Sequence, residues 1–149
     1  MRLPSLQAFS LVGGTALALR YGHRSSIDLD LFSNMVYDNS IIINELRQEF
    51  GLQFDFESGH RNLGIFSYLE KVKVDIVYYP HPLIGNEEVH RGIRMYSDAD
   101  IAAMKIQAIL GRGKKKDFWD LYELLQYYSL QQIMDWHKQK FPNQMLAIS

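Results

Sequence analysis

Leu11-Val12-Gly13-Gly14-Thr15-Ala16-Leu17-Ala18-Leu19-Arg20-Tyr21-Gly22-His23-Arg24-Ser25-Ser26-Ile27-Asp28-Leu29-Asp30-Leu31-Phe32 decides how this chain is read. Residues 10–12 form a short strand ended by Gly13-Gly14. Residues 15–21 have the apolar character of a buried helix, stopped by Gly22, the residue type favoured just past a helix C-terminus. Residues 27–32 alternate and read as a second strand. Glycine at a strand-to-helix turn lets the backbone approach a ligand closely and adopt positive φ. A helix opening at Thr15 presents unpaired N–H groups to an anion, with the Thr15 hydroxyl as a further donor. Asp28 and Asp30 fall on one strand face, their Cα atoms about 6.5–7 Å apart. Two carboxylates so placed can converge on a hard cation such as Mg²⁺, which takes few protein carboxylates and fills its shell with phosphate oxygens. Each half also has a plain structural reading. Gly-Gly-Thr describes a tight turn with Thr15 capping a helix, and the aspartates describe a solvated strand face with Leu29 and Leu31 inward. No Gly-Lys-Ser/Thr follows, so this is not a Walker loop.

Working outward, Pro4 fits the first turn of a helix running to about Phe9. Asn39 or Ser40 caps a helix to about Phe50, with Ile42, Ile43, Leu46 and Phe50 near helical spacing. Residues 53–57, 64–69 and 72–79 are strand-like, the last two joined as a hairpin by Glu70-Lys71. Residues 81–96 read as irregular with at most a short edge strand. Ser97 caps a helix over 98–110, and Gly111-Arg112-Gly113 breaks it. Asp117 opens a helix to about Tyr128, and Ser129 caps a last one to about Lys140. The fold class is α/β: a small mixed β-sheet flanked by helices, with helices at the C-terminal end. With 149 residues the expectation is one domain spanning 1–149, sheet-rich over about 10–96 and helical over about 97–140.

Hydrophobic content is 47% and charged content 22%, as in ordinary globular chains. The net charge of −1 means that any polyanion contact comes from a local patch. The absence of cysteine excludes disulfides and thiolate zinc sites. No apolar run is long enough for a membrane span and no signal-peptide h-region opens the chain, so a cytoplasmic location and no membrane partner are expected.

Four further features carry chemistry. Asp75 interrupts a β-branched strand, opposite in face to Val72, Val74, Ile76 and Tyr78. An acid there needs a reason: a third metal carboxylate, a general base, or an ion pair with Lys73. Lys105 intrudes on the apolar stripe of Ile101, Met104, Ala108 and Ile109, either to reach a triphosphate or to snorkel to solvent. Phe118, Leu121, Tyr122 and Leu125 form the expected buried stripe of their helix, and Asp117 and Asp120, three residues apart, share a different face. They serve as first-turn acids or as part of a site. Arg112, Lys114, Lys115 and Lys116 form a basic loop, suited to phosphates of NTP or RNA or simply solvated.

Leu11-Val-Gly-Gly-Thr through Ser26-Ile-Asp-Leu-Asp-Leu-Phe32, Val74-Asp-Ile76, Asp100-Ile-Ala-Ala-Met-Lys105 and Lys115-Lys-Asp-Phe-Trp-Asp-Leu-Tyr122, in this order, resemble the motifs of the AbiEii/AbiGii-type nucleotidyltransferase toxins, within the DNA polymerase β-like nucleotidyltransferase superfamily. The resemblance covers most of residues 11–125. It implies a minimal nucleotidyltransferase fold and Mg²⁺-dependent transfer of an NMP from an NTP (ATP, GTP, CTP or UTP) to an acceptor, an RNA such as tRNA among the candidates. It also implies the toxin role of a toxin–antitoxin or abortive-infection system, with a separate antitoxin. Carried over by position, Gly13, Gly14 and Thr15 hold phosphates, and Asp28 and Asp30 bind metal. Asp75 is a metal ligand or base, Lys105 contacts the triphosphate and Asp117 completes the site. Arg24 and Ser26 match the family's Arg-x-Ser and orient phosphate or the aspartate strand. Arg112, Lys114, Lys115 and Lys116 would hold an RNA backbone. Longer relatives carry more sequence on both sides of these motifs, so the expectation is that acceptor recognition is reduced or supplied by another chain. The alternative is a non-catalytic nucleotide-, RNA- or partner-binding module of the same fold.

Overall fold

A computed structural model describes residues 3–57 and 64–143. Its strands are β1 (Ser10–Val12), β2 (Leu29–Ser33), β3 (Phe54–Glu57), β4 (Gly64–Leu69), β5 (Val72–Tyr78), β6 (Glu88–His90) and β7 (Ile93–Met95). Its helices are α1 (Gly13–Tyr21), α2 (Asn39–Phe50), α3 (Asp98–Gly111), α4 (Lys115–Leu124) and α5 (Leu130–Lys140). The strands form one mixed sheet in the order β3-β4-β5-β2-β1-β7-β6. The α/β class expected from the sequence is the one observed.

The β2–β5 pairing positions the site. These strands run parallel, with Asp30 opposite Asp75; β1 runs antiparallel to β2, with Val12 opposite Asp30. Alternation then sorts the faces. Leu31, Val74 and Ile76 are buried in the core, while Asp30, Phe32, Asp75 and Val77 line a cavity on the other side. Helix α2 packs on β3 and β4, burying Ile42 and Leu46; each such side chain contributes about 1.5–3 kcal/mol. Glu70 and Lys71, at φ 50° and 69°, make the two-residue turn whose twist suits a β4–β5 hairpin.

The far end of α3 is tied down by charge. The Asp100 carboxylate accepts from Lys140 Nζ at 2.7 Å, Ser97 Oγ at 2.7 Å, and the backbone N–H groups of Ile84 at 2.9 Å and Gly85 at 3.1 Å. Asp100 and Lys140 are both fully buried. A buried ion pair is tolerable only when its remaining hydrogen-bonding capacity is filled, and here Lys140 also donates to Pro82 O at 2.9 Å.

Several boundaries differ from those expected. The N-terminal helix is only a 3-10 turn, Pro4–Leu6. Helix α1 opens at Gly13 rather than Thr15, and β2 opens at Leu29, leaving Asp28 just outside it. Asp38, not Asn39 or Ser40, caps α2, its side chain accepting from Ser40 N. Residues 81–96 contain a hairpin, β6–β7, whose second strand joins β1 in parallel through Leu11 and Met95. Three-residue strands are too short for alternation to reveal. Helix α4 opens at Lys115 and ends at Leu124.

The largest correction concerns the faces of α4. Asp117, Asp120 and Leu124 are buried, while Phe118, Trp119, Tyr122 and Leu125 are exposed. Of the expected apolar stripe only Leu121 packs against the core; the acids turn inward because they meet the cationic partners described next.

Candidate active site

Gly13 and Gly14 are glycines for separate reasons. Gly13 has φ +73°, and a Cβ there would lie 2.9 Å from Asp30 Oδ2. A Cβ on Gly14 would lie 1.8 Å from Arg24 Nη2 and 3.0 Å from Asp120 Oδ2. The pair therefore lets α1 begin against the aspartate strand and against a buried ion pair. Thr15 Oγ1 donates to the Asp28 carbonyl oxygen. Its one proton is thus committed, and its 2.6 Å contact with Ser26 Oγ must be donated by Ser26. Thr15 and Ser26 brace the approach to β2, and the Thr15 hydroxyl proton is not available as the phosphate donor the sequence offered.

A polar cavity of about 120 Å³ opens at this point. Gly13, Gly14 and Thr15 of α1 line it, with Arg24 and Ser26 from the following loop and Asp28, Asp30 and Asp75 from the sheet. Lys105, Arg112, Lys114 and Lys116 close the other side. Asp117 stands behind this wall, and Lys115 turns outward, its Nζ 5.2 Å from the centre of the Trp119 ring.

The two sets of acids are treated oppositely. Burial, then the adjacent Asp75 charge, pushes the Asp30 carboxyl above its ordinary pKa, with Asp28 adding to the repulsion. Lys73 approaches Asp75 at 3.5 Å from a half-exposed position. Asp120 is buried but accepts a bidentate pair from Arg24, Nε to Oδ1 at 2.6 Å and Nη2 to Oδ2 at 2.9 Å. His23 Nε2 lies 2.6 Å and Lys105 Nζ 2.9 Å from the same carboxylate. Asp117 accepts from both Nε and Nη2 of Arg112, at 2.9 and 2.8 Å, and from Lys105 Nζ at 3.2 Å. Burial alone would raise both carboxyls; these hydrogen bonds and charges win, and both sit below the usual carboxylate range.

Lys105 is buried rather than snorkelling. Its ammonium joins two helices and keeps a third hydrogen for the cavity it lines. His23 is a part of this network that the sequence does not single out, and Asp120, weighed beside Asp117, is not among the residues the resemblance carries over. The Asp117–Asp120 spacing was the available signal, but it does not tell which way the face points.

Asp28, Asp30 and Asp75 fit a divalent cation in chemistry: hard oxygen donors whose mutual repulsion an ion would relieve. Among the described residues no three acids or imidazoles are drawn together into a group that could hold an ion as they stand. The described helices include none long and apolar enough to cross a membrane.

Comparisons with known proteins identify the family and the fold. The profile of the family described as "Nucleotidyl transferase AbiEii toxin, Type IV TA system" matches residues 2–144. An uncharacterized protein of Aquifex aeolicus is 36% identical over 141 residues, covering 91% of this chain and 67% of that protein. Among solved structures, a Helicobacter pylori protein assigned to the nucleotidyltransferases superposes with a TM-score of 0.58 at 18% identity, over 91% of this chain and 73% of its own. ANT(2")-Ia, solved with adenylyl-2"-tobramycin, superposes with a TM-score of 0.63 at 14% identity, over 91% and 87%. The two structural likenesses concern the fold.

Proposed function

This chain belongs to the AbiEii nucleotidyl transferase toxin family, and from that premise we propose that it moves an NMP from an NTP to the 3′ end of an RNA such as tRNA. The adjacent Asp30 and Asp75, facing a cationic wall across a polar cavity, carry this reading. The acceptor hydroxyl oxygen forms a new bond to the α-phosphorus, the bond to the α–β bridging oxygen breaks, and pyrophosphate leaves. The hydroxyl proton passes to the carboxylate of Asp75 as general base. Gly13 and Gly14 bring the start of α1 to the phosphates. Lys105, fixed by Asp117 and Asp120, and Arg112, fixed by Asp117, meet the charge of the leaving group. Lys114 and Lys116 at the rim hold the acceptor backbone. Asp28, Asp30 and Asp75 would hold Mg²⁺, which supplies charge neutralisation at the reacting phosphate. A separate antitoxin partner and a cytoplasmic location belong to the same reading.

Incubation with each labelled NTP, Mg²⁺ and total RNA or total protein tests it. RNA should be labelled, and Asp28→Ala should abolish the label. Intact NTP with neither pool labelled would sink the proposal. Label on protein, or on an aminoglycoside-like acceptor, would move the acceptor while keeping the chemistry.

A further inference from the structure

A second cavity, of about 560 Å³, lies between the sheet and α3, within the size range of ligand clefts, about 300–1,000 Å³. It shares Gly13, Asp30, Asp75, Lys105 and Arg112 with the small polar cavity. Beyond those shared residues the character changes. Phe32, Phe66, Val77 and Tyr79 form the sheet side, and Ile101 and Met104 the helix side. Phe32 and Tyr79 are paired with ring centres 5.0 Å apart. The two cavities divide a nucleotide's chemistry. One offers cations and helix N–H groups, which suit phosphates; the other offers flat apolar walls, which suit a π-ring. They meet at the acids, where the α-phosphorus must lie.

Gln107 is the neutral polar side chain that α3 brings to this chamber. Its Oε1 lies 2.8 Å from Nε2 of His137 on α5. A carboxamide oxygen only accepts, so His137 carries the proton on Nε2. Burial lowers the pKa of His137, consistent with a neutral ring. With its oxygen drawn toward His137 on α5 and one of its two lone pairs used there, Gln107 turns its NH₂ group, a two-hydrogen donor, to a ligand.

We infer that the apolar chamber is the nucleobase subsite and that Gln107, oriented by His137, favours bases presenting a carbonyl oxygen over adenine, which has none. This rests on the nucleotidyl-transfer reading of Asp30 and Asp75. Equilibrium titrations of the full chain with ATP, GTP, CTP, UTP and inorganic tripolyphosphate, with Mg²⁺ and without acceptor, test it. At least one carbonyl-bearing NTP should bind on the order of tenfold more tightly than ATP, the scale of one hydrogen bond. In Gln107→Met that preference should fall to about twofold or less, with tripolyphosphate affinity unchanged. Phe66→Ala, on a different element, should weaken all four NTPs and leave tripolyphosphate alone. ATP binding as tightly as every other NTP, or a preference that survives Gln107→Met, overturns the inference. Both variants leaving NTP affinities intact while raising KM for the acceptor would make the chamber the acceptor's, overturning it while nucleotidyl transfer stands. If no NTP and no tripolyphosphate binds, the nucleotide reading itself fails and this inference falls with it.

Discussion

Two pairs of aspartates stand on opposite sides of Lys105 and have opposite fates. Asp30 and Asp75 lie side by side on the sheet, with the Lys73 and Arg112 charges acting on Asp30, and burial and the Asp75 charge still leave Asp30 holding its proton more tightly than usual. Asp117 and Asp120 lie on a helix with Arg24, Lys105 and Arg112 against them, and both release their protons more easily than usual. In the first pair repulsion and burial outweigh the nearby cations at Asp30, which a bound cation would relieve. The second pair is saturated, and its work is to hold three cations in place. On the proposed reading, similar residues serve ligand binding in one place and positioning in the other, and the difference lies in their partners.

The sharpest way to break this comparison is to remove one acid from each pair. Asp30→Ala should reduce transfer by on the order of 10³-fold while leaving the fold intact. Asp120→Ala should cost about 3–5 kcal/mol, because it strands the buried Lys105 ammonium beside a partly buried Arg24. Transfer assays and urea unfolding on the two variants read this out; a larger stability loss in Asp30→Ala than in Asp120→Ala would reverse the assignment.

Gly14→Ala comes next. The added Cβ must displace Arg24 from Asp120, so a loss of about 1–3 kcal/mol in stability is expected, with weaker NTP binding as the cations shift. Unchanged unfolding would mean that the Arg24–Asp120 contact is dispensable.

Titration separates the pairs by sign. Asp117 and Asp120 have depressed folded pKa values, so their stabilisation is present above the ordinary carboxylate pKa and is lost as pH falls through their lower folded values. Asp30 has a raised folded pKa, so its effect favours the fold at low pH and disappears as pH rises through that folded value. Asp120→Asn should therefore flatten the acid limb of a stability–pH curve. Asp30→Asn should raise Tm at pH 7, by about 2–4 °C for each kcal/mol recovered. Mg²⁺ should raise the Tm of the unaltered chain and have little effect on Asp30→Asn; an equal effect on both would place the ion elsewhere.

The smallest effect belongs to the basic loop. Lys115→Ala should change RNA labelling by less than about twofold, since its ammonium sits over Trp119 and an exposed cation–π contact contributes only about 0.5–1 kcal/mol. Lys116→Ala, at the cavity, should cost several-fold and weaken the salt dependence of RNA binding. Equal losses would show the loop acting as a diffuse patch.

Much of this site was legible in the sequence. Asp30 and Asp75 were identifiable because an aspartate inside an apolar strand is locally unusual and alternation fixes its face, whereas Asp28, read as part of the same strand, lies just outside β2. The Gly13-Gly14 turn was legible because glycine has few other reasons to stand there. Arg24 and Lys105 were singled out, but their bonding to Asp120 was not, because those partners are 96 and 15 residues apart in sequence. The α4 faces were misread for the same reason. Phe118 and Tyr122 look like a core stripe until the buried cations from α1's following loop and from α3 are known, and a saturated carboxylate then outcompetes an aromatic for the interior.

The sequence by itself determined the α/β class, most of the elements and the identity of the acids, because strand alternation, turn residues and helix caps act over a few neighbours. Tertiary structure alone decided the Asp30–Asp75 register, the inward turn of Asp117 and Asp120, the outward turn of Lys115 and the chamber walled by Phe32, Phe66 and Tyr79. All but the Lys115 turn, which is set against Trp119 on the same helix, are contacts between segments distant in the chain. Whether a buried charge is tolerated depends on which opposite charge the fold delivers to it, and local pattern carries no record of that.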